Sequence, residues 1–278
     1  MRGVANRKTP VSESLDEKIV SLRYGGLATL AGGIDLRATV LPSGLLVAWE
    51  ACVRFGLVDP LFLPAPSSML TALWEVALTG ELWVNIGASV WRIACGYLIA
   101  AGLAIPLGLA LGYSANLRAY LNGLLELLRP VPPIALIPVS LLWLGIDNAS
   151  KIAIIAYACF WPLILNVVLG VEEIPSLLQR AARTMDISGF RYFTKVMLPA
   201  ALPKIIVGLR ISAGLAFVVV VAAEMVAASS GLGYMILDAE RTFRSGLMFG
   251  GIVLLSILGF LLNKILVLVE RRIVAHRS

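Results

Sequence analysis

The chain is a succession of apolar runs of about twenty residues, parted by short polar turns and by one long polar interruption, Glu172 to Pro199. Twenty helical residues rise about 30 Å, the thickness of a bilayer's hydrocarbon core, so runs of this length read as membrane-spanning helices. Composition agrees: hydrophobic residues are 59% of the chain, charged ones 14%, and mean hydropathy is +0.89. A soluble domain carries about 25% charged residues. The 278 residues leave room for about six spans, and the expected fold class is an all-α membrane protein of about six transmembrane helices. The formal charge of +6 would suggest nucleic acid if its carriers were clustered. They lie instead in short loops and tails, so membrane topology accounts for them and no nucleic-acid partner is expected.

The expected spans run from about Leu36 to Val58, Trp83 to Tyr113, Lys151 to Gly170, Leu202 to Ala228 and Gly246 to Val269, with a third in chain order between the turns at Ser114–Arg118 and Gly145–Asn148. The domain reading is a polar cytoplasmic tail over 1–35, with a surface segment at 19–34, a transmembrane domain over 36–270, and a cytoplasmic tail over 271–278. Ser67 and Gly80 bracket a short amphipathic helix as cap and stop. The third span is broken at Arg129-Pro130-Val131-Pro132-Pro133, because three prolines in four residues remove backbone bonds. Such backbone is tolerated at membrane depth only against protein or a watery cavity. Small residues recur every fourth position at Gly96, Ala100, Ala104, Gly108 and Gly112, a stripe suited to close helix packing.

With the N-terminus inside, the inner segments hold Arg2, Arg7, Lys8, Lys18, Arg23, Arg37, Arg118, Arg180, Arg183, Arg191, Lys195, Arg271, Arg272 and Arg277. The outer segments hold Arg54, Lys151, Arg241 and Arg244. This bias places both termini and Glu172–Pro199 in the cytoplasm. Within that loop Pro175 fits the first turn of a helix, and Leu177, Leu178, Ala181, Ala182 and Met185 share one face. A second short helix is expected from Ser188, ended by Leu198-Pro199 before the next span. By pattern alone, the two helices rest on lipid or dock on a partner protein.

Ionisable residues in the spans are costly, so each should face protein or water. Glu126 and Arg129 are spaced to pair on one helix face. Gly208, Ser212, Ala216, Val220 and Glu224 form one row, with Arg210 about 40° away around the helix. Arg92 lies in the second span. Arg92 and Glu126 read as structural ion pairs; Arg129, Arg210 and Glu224 read either as structural ion pairs or, with Pro132 and Pro133, as the lining of a polar route through the membrane. Cys52, Cys95 and Cys159 lie in apolar runs without a CxxC, and the single histidine is His276. No metal site, disulfide or histidine base is expected, and no cofactor.

The run Ala181-Ala182, Asp186, Val196-Met197-Leu198-Pro199 resembles the EAA loop of ABC importer permeases in spacing. Arg180 stands where that family has glutamate, and Asp186 where it has glycine; aspartate can adopt the left-handed turn that glycine supplies. Leu63-Pro64-Ala65-Pro66, Ile137-Pro138, Trp143-Leu144-Gly145-Ile146, Leu198 to Pro203, Gly208-Leu209-Arg210, Ala223-Glu224 and Gly231 to Tyr234 resemble the sulfonate, taurine and nitrate branch. The resemblance covers about residues 36–270. It implies a type I importer permease (MetI-like) fold in a bacterial cytoplasmic membrane, working as a homodimer. Two ATPase subunits would dock on the loop through Arg180, Ala181, Ala182, Arg183, Asp186, Leu198 and Pro199, and a periplasmic or lipoprotein solute-binding protein would deliver substrate. No GxxxxGK[ST] is present, so ATP would be bound by the partner and the chain would not be an enzyme. The implied cargo is a small organic anion, an aliphatic sulfonate such as taurine, with nitrate, bicarbonate or another small solute as the alternative. An ion-coupled carrier would want ten or more spans or an inverted repeat, and no repeat is visible.

Overall fold

The computed structural model describes residues 36–275, which fold as helices and turns. The chain divides into two compact units, 1–59 and 60–278. The expected surface segment at 19–34 lies outside the described residues. In the first unit the described helix is α1 (Leu36–Arg54), with Pro42 inside it and Arg54 Nε donating to Glu50 Oε1 at 2.6 Å, one turn back.

The second unit contains α2 (Pro66–Leu78), α3 (Glu81–Tyr113), α4 (Ala115–Leu128), α5 (Ile137–Leu144), α6 (Asn148–Glu172), α7 (Ser176–Thr184), α8 (Gly189–Tyr192), α9 (Leu198–Ala227), α10 (Leu232–Arg241) and α11 (Ser245–Ala275). Four helical stretches among the described residues are long and apolar enough to cross a membrane: Glu81–Tyr113, Asn148–Glu172, Gly189–Ala227 and Ser245–Ile265. Ala115–Leu128 with Pro133–Leu144 is a fifth if the pair, bent by 81°, is one broken span. About six were expected. The helix α1 matches the first expected span in position but is not among these.

The core is a stack of α3, α6 and α9. A Cβ on Gly96 would lie 2.7 Å from Ile155 Cβ, and one on Gly108 would lie 2.7 Å from Val167 Cβ; Gly112 meets Val171 in the same way. Each pair is separated by the same number of residues, so α3 and α6 run parallel and in register. The small-residue stripe is what lets their backbones approach. Helix α9 runs antiparallel to α6, with Gly170 against Lys204 and Gly208 against Asn166. Cys159 Sγ donates to Ser212 O at 3.3 Å, and Ser212 Oγ donates back to Cys159 O at 2.8 Å. Ile155, Ala216 and Val220 fill the middle of the stack, and Leu163, Val167 and Ala201 fill one end. At the other end α2, α10 and α11 close over Val76, Leu82, Leu232 and Met235. The N-termini of α3 and α6, the C-terminus of α9 and the loop before α11 therefore share one end of the unit, and α7 lies at the other.

Three local expectations change. Helix α2 starts with Pro66 in its first turn after Ala65, so Ser67 lies inside it and does not cap it; Gly80 (φ +84°), left-handed after the C-cap Thr79, stops the helix as expected and leads directly into α3. Leu198-Pro199 does not end the second loop helix: the helix is continuous over Gly189–Ala227, 39 residues. A π turn over Phe193–Met197 widens the helix just before Pro199, where proline's missing N–H would otherwise break the ladder. Glu126 does not pair with Arg129; it accepts from Asn122 Nδ2 at 2.7 Å, one turn back. Arg129 caps the end of α4, where the chain changes direction.

The glycine contacts make a graded test. Gly108→Leu must push α3 off α6 and should cost about 1–3 kcal/mol or more by overpacking. Gly102→Leu on the same helix meets nothing within 4 Å and should leave stability unchanged. Thermal unfolding of the solubilised protein reads both.

Candidate functional site

Two constellations stand out, one at each end of α9. At its C-terminal end, Glu224 is 1% exposed and Arg92 of α3 is 4% exposed. Arg92 Nη1 donates to Glu224 Oε1 at 2.6 Å and to Ser230 O at 2.6 Å; Nη2 donates to Ser230 Oγ at 3.2 Å. Its Nε donates to Asn148 Oδ1 at 2.7 Å, at the start of α6. Glu224 also accepts from Ser89 Oγ at 2.8 Å and from the Gly233 amide at 2.9 Å. Ser89 Oγ in turn accepts from the Leu232 amide, and Asn85 Oδ1 from the Gly231 amide, each at 2.8 Å. The first amides of α10 thus point at side chains of α3 and α9, where a helix N-terminus favours negative charge.

The network leaves no room beyond backbone beside it. A Cβ on Gly233 would lie 2.6 Å from Val221 O and 2.9 Å from Glu224 Cβ, and one on Gly231 (φ +121°) would run into the Glu224 carboxylate. Lys151, expected at the outer start of the fourth span, is buried in the first turn of α6; its Nζ donates to Ile146 O and, at 3.2 Å, to Asp147 O. Arg92 and Lys151 line a cavity of about 510 Å³ together with Trp91, Asn148 and Ser229.

The path candidates are not gathered into one site. Arg210 is half-buried and, fourteen residues before Glu224, lies about 21 Å from it along the helix axis. Arg129 is exposed at the break of the third span. Pro132 and Pro133 start a short 3₁₀ turn there, and Tyr157 Oη closes the opened backbone by donating to Leu128 O at 2.7 Å. Ser89, Asn85, Asn148 and Ser230 were missed. Asn85, Ser89 and Arg92 continue the Gly96–Gly112 stripe toward the start of α3, so extending that row past its small residues would have found them.

At the other end of α9, α7 carries Leu177, Leu178, Ala181 and Met185 exposed on one side. Ala182, at the edge of that face, is turned onto the chain itself at 4% exposure, so its methyl belongs to the packing and not to an outward surface. Arg180 is exposed, with Nε and Nη2 on Ser176 O and Oγ at 3.4 and 3.3 Å. Arg183 is exposed; Leu198 and Pro199 are half-buried. Helix α7 ends with the Ile187 amide on Ala182 O at 2.9 Å and the Asp186 amide on Arg183 O at 3.1 Å. This two-bond motif requires a left-handed residue between, and Asp186 has φ +51°. Asp186 therefore takes the backbone that a glycine would take. The loop is anchored by Arg118 Nη1 on Glu172 Oε1 and by Lys204 Nζ on Glu173 Oε1 at 2.9 Å. Among the described residues no group of three or more His, Cys, Asp or Glu is placed to hold a metal ion.

Comparison with known proteins decides the class. The family described as "Binding-protein-dependent transport system inner membrane component" matches residues 104–275. The chain belongs to this family. It is a permease subunit of the ABC importers, in the branch of the sulfonate, taurine and nitrate permeases. It is 35% identical over 267 residues to the putative aliphatic sulfonates transport permease SsuC of Bacillus subtilis (strain 168), covering 96% of this chain and 94% of that one. It is 35% identical over 268 residues to the taurine transport system permease TauC of Escherichia coli (strain K12), covering 95% and 97%. It is 36% identical over 195 residues to the nitrate import permease NrtB of Leptolyngbya laminosa, covering 70% of each. Inward-facing structures of the MetNI methionine ABC transporter share the fold, with TM-scores of 0.58 and 0.61 at 21% identity, covering 72% and 73% of this chain and 96% and 98% of theirs.

Two predictions follow from these geometries. Arg92→Ala or Glu224→Ala strands the other charge in the interior and should destabilise the permease by about 3–5 kcal/mol, whereas Arg92→Met combined with Glu224→Leu should recover much of that loss. Asp186→Gly should hold or raise stability, and Asp186→Val should lower it by about 1–2 kcal/mol, because a β-branched residue resists positive φ. Thermal melts of the purified variants separate these outcomes.

Proposed function

We propose that this permease forms the membrane path of an ATP-driven importer for a small organic anion, an aliphatic sulfonate such as taurine. The observation that carries the substrate class is end-to-end similarity to permeases named for aliphatic sulfonates and taurine, covering 94% and 97% of those chains. Nitrate is the second reading, favoured by the relative matched over 70% of its length.

Two copies would pair to enclose the path. The termini and α7 would face the cytoplasm, where an ATPase subunit would dock on each Glu172–Pro199 loop and bind the ATP. The exposed Leu177, Met185 and Phe190 support that docking, because a loop serving only as a connection would not present three large apolar side chains among arginines. Arg180, Ala181 and Arg183 would contribute from the same helix, Asp186 through the turn it shapes, and Leu198 and Pro199 by joining the loop to α9. The helix continuous from Gly189 to Ala227 supports the coupling step: a tilt imposed at the loop reaches Glu224 without an intervening break. The end carrying the Arg92–Glu224 network would face outward and receive substrate from a solute-binding protein.

Growth on taurine or an alkanesulfonate as sole sulfur source tests the substrate. Deleting the gene should abolish that growth and spare growth on sulfate; the plasmid-borne wild type should restore it. Restored nitrate use without sulfonate use would overturn the sulfonate reading in favour of nitrate. Leu177→Glu with Met185→Glu should reduce co-purification of the ATPase subunit at least about tenfold at equal membrane level. Undiminished co-purification would move the docking site elsewhere.

A further inference from the structure

Helix α10 ends in a conformation that its last residues are poorly suited to hold. The Arg244 amide bonds Ala239 O at 2.8 Å and the Phe243 amide bonds Glu240 O at 3.1 Å. This is the motif that closes α7, and it again needs a left-handed residue in the middle. Here that residue is Phe243, with φ +55°. Among the described residues every other positive φ belongs to glycine or to Asp186. An aromatic residue is strained in this region, and strain persists where something else compensates it. Packing within the chain does not compensate, because the Phe243 side chain is 77% exposed.

A second aromatic, Phe62, is 75% exposed. Its neighbour Leu61 accepts from Ser245 Oγ at 2.5 Å, which ties the Phe62 segment to the one carrying Phe243. Around Phe243, the residues Glu240, Arg241, Thr242 and Arg244 are all exposed. The exposed surface of the long helix α3 looks different: Leu98, Ile99 and Leu103 are exposed there without a charged neighbour between them. An exposed aromatic flanked in the chain by exposed polar residues and arginines has the composition of a protein-binding hot spot, an anchor beside a hydrated rim.

We propose that Phe243 and Phe62, with Arg241 and Arg244, are the docking surface for the solute-binding protein, whose matching face would offer an apolar recess edged by acidic side chains. This rests on the importer reading above, which turns this end outward. The left-handed turn holds the Phe243 ring out before the partner arrives, so little ordering remains to be done on binding. Docking at this point also places the partner on the loop that begins α11 and follows α10, whose first amides hold Glu224.

The test uses the full complex of permease, ATPase and binding protein in lipid nanodiscs. Phe243→Ala, Phe243→Gly and Arg241→Glu with Arg244→Glu should each weaken binding-protein affinity about tenfold or more. Basal ATP hydrolysis without binding protein should stay within about twofold of wild type. Phe243→Gly also relieves the strained backbone, so it should raise the melting temperature while weakening docking, a combination that a purely structural role cannot give. Variants that bind and respond to the binding protein like wild type would overturn the surface while leaving the importer reading intact. Basal activity that falls in step with stimulated activity, and recovers in detergent, would show a lipid anchor instead and also overturn it. A wild-type complex that ignores the binding protein altogether would remove the importer reading, and the docking surface with it.

Discussion

The buried ion pair between Arg92 and Glu224 is the constraint on which the rest of the arrangement turns. Two charges so far from water are tolerated only when nearly every donor and acceptor is used. Here Glu224 collects a hydroxyl, a guanidinium and a backbone amide, while Arg92 spends its other N–H groups on Asn148 and Ser230. Those partners belong to α3, α6, α9 and the segment leading into α10. The pair therefore fixes four chain segments against one another at a single depth. An apolar replacement could match it in energy, but it would not dictate register, since apolar side chains can slide by a turn at little cost. The glycines at 231 and 233 are part of the same solution: a side chain at 231 would occupy the space of the carboxylate, and one at 233 would run into the α9 backbone at Val221.

Much of this architecture was legible because small residues at fixed spacing have few uses in a membrane. The stripe from Gly96 to Gly112 pointed to a close helix contact, and both it and the row from Gly208 to Glu224 lie on one. What the rows did not reveal is that α6 sits between them. Its own contact residues, such as Ile155 and Val167, are ordinary aliphatics without a signature. Nor did helix periodicity show that the polar ends of the two rows meet, because that depends on which helices are parallel. Leu198-Pro199 was misread for a related reason: a proline announces a missing hydrogen bond, and only the π turn before it shows how the chain avoids a break. Asp186 was read through chemistry, and there the expectation of a left-handed turn matches the backbone. The candidate path residues fared worst, since an ionisable residue in a span signals expense but not which cavity it serves.

The loop between α6 and α9 combines a stiff part and a soft part. Two hydrogen bonds fix the end of α7, and ion pairs from Arg118 and Lys204 hold the exit from α6. Beyond them, Gly189 (φ +57°) and the π turn permit local adjustment. A force applied at Leu177 or Met185 is therefore delivered to the start of a long helix through a joint of a few residues, with little lost in deforming α7 itself.

Where such a force could open a path follows from which helices are interlocked. Helices α3 and α6 mesh at glycines that leave no slack, and α6 is joined to α9 by reciprocal bonds between Cys159 and Ser212 as well as by Gly170 and Gly208. Sliding any of the three past another would drive Cβ atoms into backbone and strand the Arg92–Glu224 pair. The trio must therefore move as one body. Adjustment falls to the part joined to it more loosely, the third span, already bent by 81° at its prolines.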